Sequence, residues 1–429
     1  MVLRTLSEVA KKLVLRGEYP FRFTPAGRVD GAVNFPDGSG IYVHVPFCLS
    51  FCPYCPYLKF PYRGKDSAAF VEALNTEMRL WRERSGTTEF DSLYFGGGTP
   101  TLLADDLPGI TRALNTHFSI KGPTAIETGP SELSPRVIER LCEAGVTMVS
   151  IGVQSFDDAM LAGIGRRYSS DRIAPAVHRI QRAGFNTVNL DMMFALPGQS
   201  VDMFLDDLRQ AVSMEPDQIT CYPLFTFPYS SVGRYRRLKG LSLPSAGLRR
   251  RMYYKMHLML EAAGYRRSSV WSFARPGVTP FSSVTRQNYL GLGPGAATFS
   301  TERLFLNDFS LKSYLERLQA GNDPPVSLTL TLSSRLRRII WLYWRLYETE
   351  IPLTDYKSSI GTGHELDYLL IRLLIKLLGG TRDTRFNILR LSARSSHWIH
   401  LLQNHLVLAE VARLWSRCST PTRPETEAI

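Results

Sequence analysis

Three segments of this chain share one pattern, in which a helix-like run closes in Ala-Gly and an apolar, strand-like run follows at once. They are Ala144-Gly145-Val146, Ala183-Gly184-Phe185 and Ala263-Gly264-Tyr265. Glycine suits a helix C-cap because a left-handed residue closes the last turn, and only glycine takes that conformation without a Cβ penalty. The first two glycines are 39 positions apart and the last two 80, so a unit of about 40 residues repeats with one pass unmarked. That is the length of a strand plus its return helix. Repetition of such units predicts an α/β fold, a parallel sheet curling into a TIM-type barrel with helices outside. Upstream, Phe70, Val71, Leu74, Met78 and Trp81 recur at helical spacing after Ser67, a candidate N-cap, and residues 91–95 read as a short strand ending in glycines.

Such barrels carry their reactive groups at the C-terminal ends of the strands. The chemically suggestive residues obey this: three cysteines follow residues 41–45, a glycine run follows Phe95, and Glu127 ends 124–126. Gln154 follows 149–152, and Asp191 ends 187–190. Cys48, Cys52 and Cys55 form C-x3-C-x2-C, half of the six cysteines within eight residues. A 4Fe–4S cluster takes four ligands, so three cysteines leave one iron open. A structural zinc site would be closed by a nearby fourth Cys or His. His44 alone is near, and on a strand beside Tyr42 it reads as packed or hydrogen-bonded. Three thiols cannot pair among themselves, which sets a disulfide aside. Cys142, Cys221 and Cys418 lie far apart, and Cys142, next to Leu141 in a helix, reads as a buried thiol.

The cysteines have company. Tyr42-x-His44-x-Pro46-Phe47-Cys48 and Phe95-Gly-Gly-Gly-Thr-Pro100 are followed by Glu127-Thr-Gly-Pro130, Ser150-Ile-Gly-Val-Gln-Ser-Phe156, Asp191-Met-Met-Phe-Ala-Leu-Pro-Gly-Gln199 and Gly291-Leu-Gly-Pro-Gly-Ala296. In this order, over residues 41–300, the chain resembles a radical S-adenosylmethionine (SAM) enzyme of the branch typified by oxygen-independent coproporphyrinogen III oxidase (HemN-like). The resemblance implies a partial (β/α)6 TIM-type barrel, with the cluster on Cys48, Cys52 and Cys55 and SAM chelating the open iron. Gly97, Gly98 and Thr99, in the glycine run that starts at Gly96, match the backbone that approaches the SAM methionine, and Tyr54 matches an aromatic near adenine. Tyr42 matches a cluster-side position. Glu127 is a carboxylate suited to an ammonium group, while Gln154, Arg166 and Asp191 match positions holding the SAM amino acid, carboxylate and ribose. A structural hydrogen bond is the alternative for each.

Departures from the pattern narrow the function. Porphyrinogen oxidases carry a further cysteine two residues after the third cluster cysteine, where this chain has Tyr57 after Pro56. Heme-trafficking relatives carry His-Asn-x-x-Tyr-Trp before the Gly-Leu-Gly motif; here the run is Gln287-Asn288-Tyr289-Leu290. Towards the C-terminus, Leu391-Ser392-Ala393, His397-Trp398-Ile399-His400 and Leu414-Trp415 resemble the class C radical SAM methyltransferases and cyclopropane-forming enzymes. The expected function is therefore C-methylation or cyclopropanation at an sp2 carbon of an aromatic or heteroaromatic natural product. Two SAM molecules would bind together, one as radical source and one as one-carbon donor, with Tyr222, Phe225 and Arg275 as strand-end guesses for the second. The alternatives are a porphyrin-modifying or heme-degrading enzyme, and a non-enzymatic heme carrier.

Composition sets outer limits. The 429 residues suffice for a large domain and a smaller one. Boundaries are expected at 1–38 (an N-terminal extension, helical over 3–15), 39–322 (barrel and its extension), 323–418 (helical, over 336–346 and 365–378) and 419–429 (disordered tail), with the Pro-rich Asn322-Asp-Pro-Pro325 marking the main break. The most apolar stretches, 339–347 and 368–378, are interrupted by Arg345, Arg372 and Lys376, so no membrane span is expected. Residues 1–21 carry Glu8 and Glu18 and no apolar core, which argues against a signal peptide and for the cytoplasm. Net charge is +12, with basic clusters at 234–239 and 249–251. No nucleic-acid module accompanies them, so nucleic acid is not expected, and the charge reads as a docking surface for a flavodoxin- or ferredoxin-like electron donor or an anionic substrate. A metal site at His397, His400 and His405 lacks supporting Cys or carboxylates.

Overall fold

The computed structural model describes Glu18, residues 21–26, 28–225, Gly240, 242–282, 288–354, Leu369, Leu373, Lys376 and 379–418, the last with backbone only for 405–413 and 415–418. The expected helix at 3–15, the basic cluster at 234–239, Gln287, most of the helix at 365–378, the side chains of His405 and Trp415, and the tail from Ser419 lie outside the described residues.

Six strands lie side by side in chain order, all parallel: β1 (Gly40–Val45), β2 (Ser92–Gly97), β3 (Thr124–Thr128), β4 (Met148–Gln154), β5 (Thr187–Phe194) and β6 (Gln218–Pro223). Each leads to a helix: α1 (Gly64–Arg84), α2 (Leu107–His117), α3 (Pro135–Glu143), α4 (Ile173–Arg182), α5 (Val201–Ser213) and α6 (Ala246–Ala262). The strands are buried on both faces, as parallel strands under helices must be. The helices turn one apolar stripe inwards; in α4 it is Ile173, Ala176, Val177 and Ile180, all fully buried. Burial of each large aliphatic in that stripe contributes about 1.5–3 kcal/mol over exposure.

The repeat read from the sequence marks real helix ends. Gly145, Gly184 and Gly264 are left-handed, with φ of 70°, 78° and 87°. In the unmarked pass after α5 the left-handed residue is Glu215, with φ of 53°, at a cost of roughly 1 kcal/mol. The register at α1 differs from expectation. The helix starts one turn before Ser67, whose hydroxyl donates to the Gly64 carbonyl at 2.9 Å inside the first turn instead of capping it.

Among the described residues the sheet does not close, as expected of a partial barrel. Beyond β6 the strand β7 (Ser272–Ala274) runs antiparallel. On the other side β8 (Tyr289–Leu292) pairs parallel with β1, and β9 (Ala297–Phe299), β10 (Arg303–Asn307) and β11 (Val326–Thr331) continue antiparallel. Helix α7 (Leu311–Ala320) lies between β10 and β11 in the chain. Residues beyond the Pro-rich break thus still add a strand to the main sheet. Then come α8 (Ser334–Tyr347), a small antiparallel sheet of β12 (Glu350–Pro352), β13 (Thr381–Asp383) and β14 (Ile388–Arg390), and α9 (Ala393–Cys418). This C-terminal part has its own apolar core of Ile351, Leu353, Leu389, Leu391 and Ile399. It is tied to the barrel by Arg267, which donates to Ser396 Oγ at 2.9 Å and to the Leu391 carbonyl. Among the described residues no helix is long and apolar enough to cross a membrane.

Candidate functional site

The cysteine loop leaves the C-terminal end of β1 and is clamped at its neck. Phe47–Cys48 pairs with Phe60–Pro61, Phe60 N–H donates to Pro46 O at 2.6 Å, and Tyr62 N–H donates to Cys48 O at 3.0 Å. Cys48, Cys52 and Cys55 are half-buried free thiols on this loop. Burial pushes Cys48 up to about 12 and Cys55 upward as well, so both hold their protons until a metal displaces them. The Thr99 hydroxyl donates towards Cys48 Sγ at 3.9 Å. Among the described residues no three His, Cys, Asp or Glu side chains form a ready-made metal cage, these cysteines included. The loop offers three soft sulfur donors on a backbone fixed at both ends, the donor set an iron–sulfur cluster requires.

What fixes the loop lies behind it. His44 Nε2 donates to Leu58 O at 2.9 Å, which leaves Nδ1 to accept from Tyr42 Oη at 2.8 Å. Burial lowers His44 to about 4, so the ring is neutral and acts as a pin between strand and loop. Gly97 (φ 110°) has no room for a side chain because a Cβ would stand 2.5 Å from the His44 ring, and at Gly98 it would strike the Phe47 carbonyl. From the far side, a Cβ on Gly293 would strike the His44 carbonyl, and one on Gly295 would stand 2.8 Å from Leu58. Both glycine motifs therefore serve this packing. Glu77 of α1 holds the second one: it accepts from Gly293 N–H at 2.8 Å, Asn307 Nδ2 at 2.6 Å and Tyr314 Oη at 2.6 Å.

The strands beside the loop carry polar groups in apolar surroundings. Glu127 accepts from Tyr94 Oη at 2.5 Å and Gly97 N–H at 3.3 Å, and burial lifts its carboxyl to about 7. Asp191 accepts from Ser150 Oγ and from Asn189 Nδ2, each at 2.8 Å, and from the Tyr222 hydroxyl; burial raises it too. Asn189 in turn accepts from Thr220 at 2.9 Å. Gln154 is left-handed (φ 68°), and the next two residues are anchored by Asp207, which accepts from Ser155 Oγ and Phe156 N–H at 2.7 Å each. A Cβ on Gly152 would stand 2.9 Å from the Gln154 amide and 3.4 Å from Arg166, so this glycine makes room for both. The Arg166 guanidinium lies 5.9 Å from the Tyr54 ring and 5.8 Å from the Tyr168 ring. Arg166 Nε and Tyr54 Oη are buried without a hydrogen-bond partner among the described residues. Buried polar atoms are normally hydrogen-bonded, so each of these leaves room for a partner such as an ordered water, an ion or a ligand.

The three cysteines, Tyr54, Gly98, Thr99 and Arg166 lie beyond the long strands, and Gly97 and Gln154 are the last residues of β2 and β4, whereas Tyr42, Glu127 and Asp191 lie within β1, β3 and β5, which run on to Val45, Thr128 and Phe194. Tyr94, Ser150, Asn189, Asp207 and Glu77 escaped the sequence reading. Asn189 carried a usable signal, since it stands two residues before Asp191 on the same face of its strand. Tyr222 reaches Asp191, and Phe225 packs on Trp271 at 6.3 Å. Arg275 is displaced to the opposite end: β7 runs antiparallel with Ala274 beside Gln218, so Arg275 emerges near the start of β6 and stacks on Tyr265. Cys142 is exposed, because the buried stripe of α3 passes through Ile138 and Leu141. His397 and His400 are packing residues, with Tyr253 5.4 Å from the first and Trp271 4.8 Å from the second.

Residues 42–211 match the Radical SAM superfamily model. The chain is 30% identical over 302 residues to the heme chaperone HemW of Mycobacterium tuberculosis, covering 67% of this chain and 76% of that one. It belongs to the radical SAM superfamily, in the HemN-like branch. The Bacillus subtilis heme chaperone HemW matches at 28% over 291 residues, 66% of this chain and 76% of the relative. The oxygen-independent coproporphyrinogen III oxidase of Salmonella typhimurium matches at 26% over 344 residues, 75% of each. In fold, the radical SAM chain superposes on coproporphyrinogen III oxidase (HemN) from Escherichia coli with a TM-score of 0.72 at 20% identity, over 89% of this chain and 91% of that one. As a radical SAM protein it uses a 4Fe–4S cluster and SAM. The expectation of natural-product C-methylation or cyclopropanation is overturned by these relatives, which are heme chaperones and coproporphyrinogen oxidases. The C-terminal Trp-plus-His segment that suggested it is a packing stripe.

Proposed function

We propose that this radical SAM protein is an enzyme acting on a tetrapyrrole, a porphyrin or heme. The observation that carries the reading is the pair of orphaned groups, Arg166 Nε and Tyr54 Oη, beside three half-buried thiols in a HemN-like chain. Cys48, Cys52 and Cys55 would hold the cluster. Glu127 would pair with the SAM ammonium, Gln154 and Arg166 with its carboxylate, Asp191 with the ribose, and Tyr54 would lie by the adenine. When bound and reduced, the cluster supplies the electron that cleaves SAM to methionine and a 5′-deoxyadenosyl radical able to take a hydrogen atom from substrate.

The chain's own part is placement and exclusion of water. Tyr94 and Gly97 fix the Glu127 carboxylate while leaving lone pairs for a cation, and Asn189 with Ser150 fixes Asp191. Tyr54 rests on an apolar floor of Ile164, Met193, Leu196 and Leu224, which keeps water from the radical's place of origin. Tyr57, standing where porphyrinogen oxidases carry cysteine, argues for tetrapyrrole chemistry other than coproporphyrinogen decarboxylation. The heme-chaperone relatives support a second reading, a heme carrier.

The test is anaerobic cluster reconstitution, then reduction with SAM, with and without heme or coproporphyrinogen III, and mass analysis of nucleoside and tetrapyrrole. Deoxyadenosine coupled to a changed tetrapyrrole, and lost in Cys52→Ala, supports the enzyme. Stoichiometric heme binding with no nucleoside product replaces it with the carrier. Deoxyadenosine from a protein that binds no tetrapyrrole would sink both.

A further inference from the structure

Along β6, Ile219 and Cys221 join the apolar core, while Gln218 and Thr220 alternate with them on the opposite face of the strand. Strand register gathers other polar residues around these two. Gln218 lies beside Asn189, Thr220 beside Asp191 on one side and Ser272 on the other, and Asn189 beside Ser150. Gln218, Thr220, Asn189, Ser150 and Ser272 are all buried. Gln218 Nε2 donates to the Phe281 carbonyl at 2.9 Å and to Thr220 Oγ1 at 3.0 Å. Thr220 Oγ1 donates to Asn189 Oδ1 at 2.9 Å. Asn189 Nδ2 donates to Ser150 Oγ at 2.6 Å and to Asp191 Oδ1 at 2.8 Å, and Ser150 Oγ donates to Asp191 Oδ2 at 2.8 Å. A continuous run of hydrogen bonds thus joins the Phe281 backbone to the Asp191 carboxylate.

The direction of each bond is forced. A carbonyl and an ionised carboxyl, at the two ends of the run, can only accept. Gln218 must therefore turn its amide nitrogen towards Phe281, although this leaves its Oε1 buried without a partner among the described residues. Thr220 has one proton and two neighbours for it, Asn189 Oδ1 and, at 3.1 Å, Ser272 Oγ. The amide oxygen cannot donate and the serine can, so the proton goes to Asn189. An asparagine amide is nearly symmetric in shape, and turned over it would aim its oxygen at Asp191. The Thr220 hydroxyl holds that oxygen on the far side and keeps both amide hydrogens on the carboxylate side. We infer that Thr220 and Gln218 are positioning residues which, through Asn189, hold Asp191 ready for the hydroxyls of the SAM ribose and so set the preference for a ribonucleoside. This rests on the assignment of Asp191 to the ribose above. Neither residue needs to touch the ligand, because both act through the orientation of one amide.

The experiment is anaerobic calorimetry on the full chain with its cluster reconstituted, comparing SAM with an analogue whose ribose lacks both hydroxyls. Wild type should prefer SAM by roughly 100-fold or more, as a site built to bond hydroxyls does. Thr220→Val keeps the shape of the side chain and removes the donor. The preference should then fall to roughly tenfold or less, with affinity for the analogue within about twofold of wild type. Thr220→Ser restores the hydroxyl and should recover most of the preference. Gln218→Met, which breaks the run one step further from Asp191, should lower the preference in the same direction and carries the test if Thr220→Val folds poorly. Asp191→Ala should abolish the preference, and adding Thr220→Val to it should change the preference no further, since the two act as one unit. A folded Thr220→Val or Gln218→Met protein with the wild-type preference would overturn the proposal. Equal loss of affinity for both ligands would overturn it too, because that is the mark of a residue that only supports the fold. Failure of the ribose assignment looks different: wild type would itself bind the two ligands equally well, and the proposal would fall with it.

Discussion

Below about pH 7 the Glu127 carboxyl holds a proton, because burial disfavours its charged form more than Tyr94 and Gly97 favour it. If it pairs with the SAM ammonium, SAM affinity should rise with pH to a plateau above about 7. Anaerobic calorimetry on the loaded protein should show this rise, and Glu127→Gln should flatten it. Arg166 poses the opposite case, a permanent charge with one buried nitrogen unbonded. Arg166→Leu should weaken SAM binding by roughly 10- to 100-fold, the worth of a charge-assisted contact of about 1.5–3 kcal/mol, with iron content unchanged. Arg166→Lys should restore little, since a lysine cannot present the planar fork. At this scale the sequence pointed to the cysteines, Glu127 and Asp191 by chemistry and an expected strand-end position, and the structure sets the two carboxylates inside longer strands, β3 and β5. Tyr94 stayed hidden because a tyrosine within an apolar strand reads as core.

Among the elements, α1 joins the cysteine loop to the glycine loop after β8, and Glu77 is the joint. In a helix pattern a glutamate reads as solvent-facing, yet this one is fully buried and satisfies three donors. Glu77→Ala would strand all three, each at about 1–3 kcal/mol, so a loss of roughly 3 kcal/mol or more is expected in urea unfolding, with Glu77→Gln less damaging. Burial lifts Glu77 from 4.5 to about 7. Across that window the folded chain keeps a proton the unfolded chain has released, so this group's contribution falls as pH rises. The βα repeat was legible from glycine caps alone. The end of its unmarked pass could not be placed, because Glu215 adopts the backbone conformation that glycine advertises elsewhere. The start of α1 was also misplaced, since Ser67 can bond back to Gly64 within the helix as readily as it could cap one.

For the whole molecule, the C-terminal part is held to the barrel through buried, neutral histidines. Burial lowers His397 and His400 to about 4 and His257 to about 3, against an ordinary 6.5. As pH falls from 6.5 towards 4, the unfolded chain takes up protons these rings refuse, so stability falls by up to on the order of 3 kcal/mol per ring. Acid titration followed by Trp fluorescence should show the C-terminal part parting from the barrel, with the Trp271–His400 contact as reporter. His400→Phe should move that transition to lower pH. The order of strands in the sheet has another consequence. The first long strand, β1, lies between β2 and β8, and its His44 is backed by Gly293, a residue synthesised some 250 positions later. A ribosome-bound chain that has made the cysteine loop therefore lacks the wall behind it. Contacts of such long sequence separation form late, so iron delivery to this protein should wait until at least the first 293 of its 429 residues have emerged and folded.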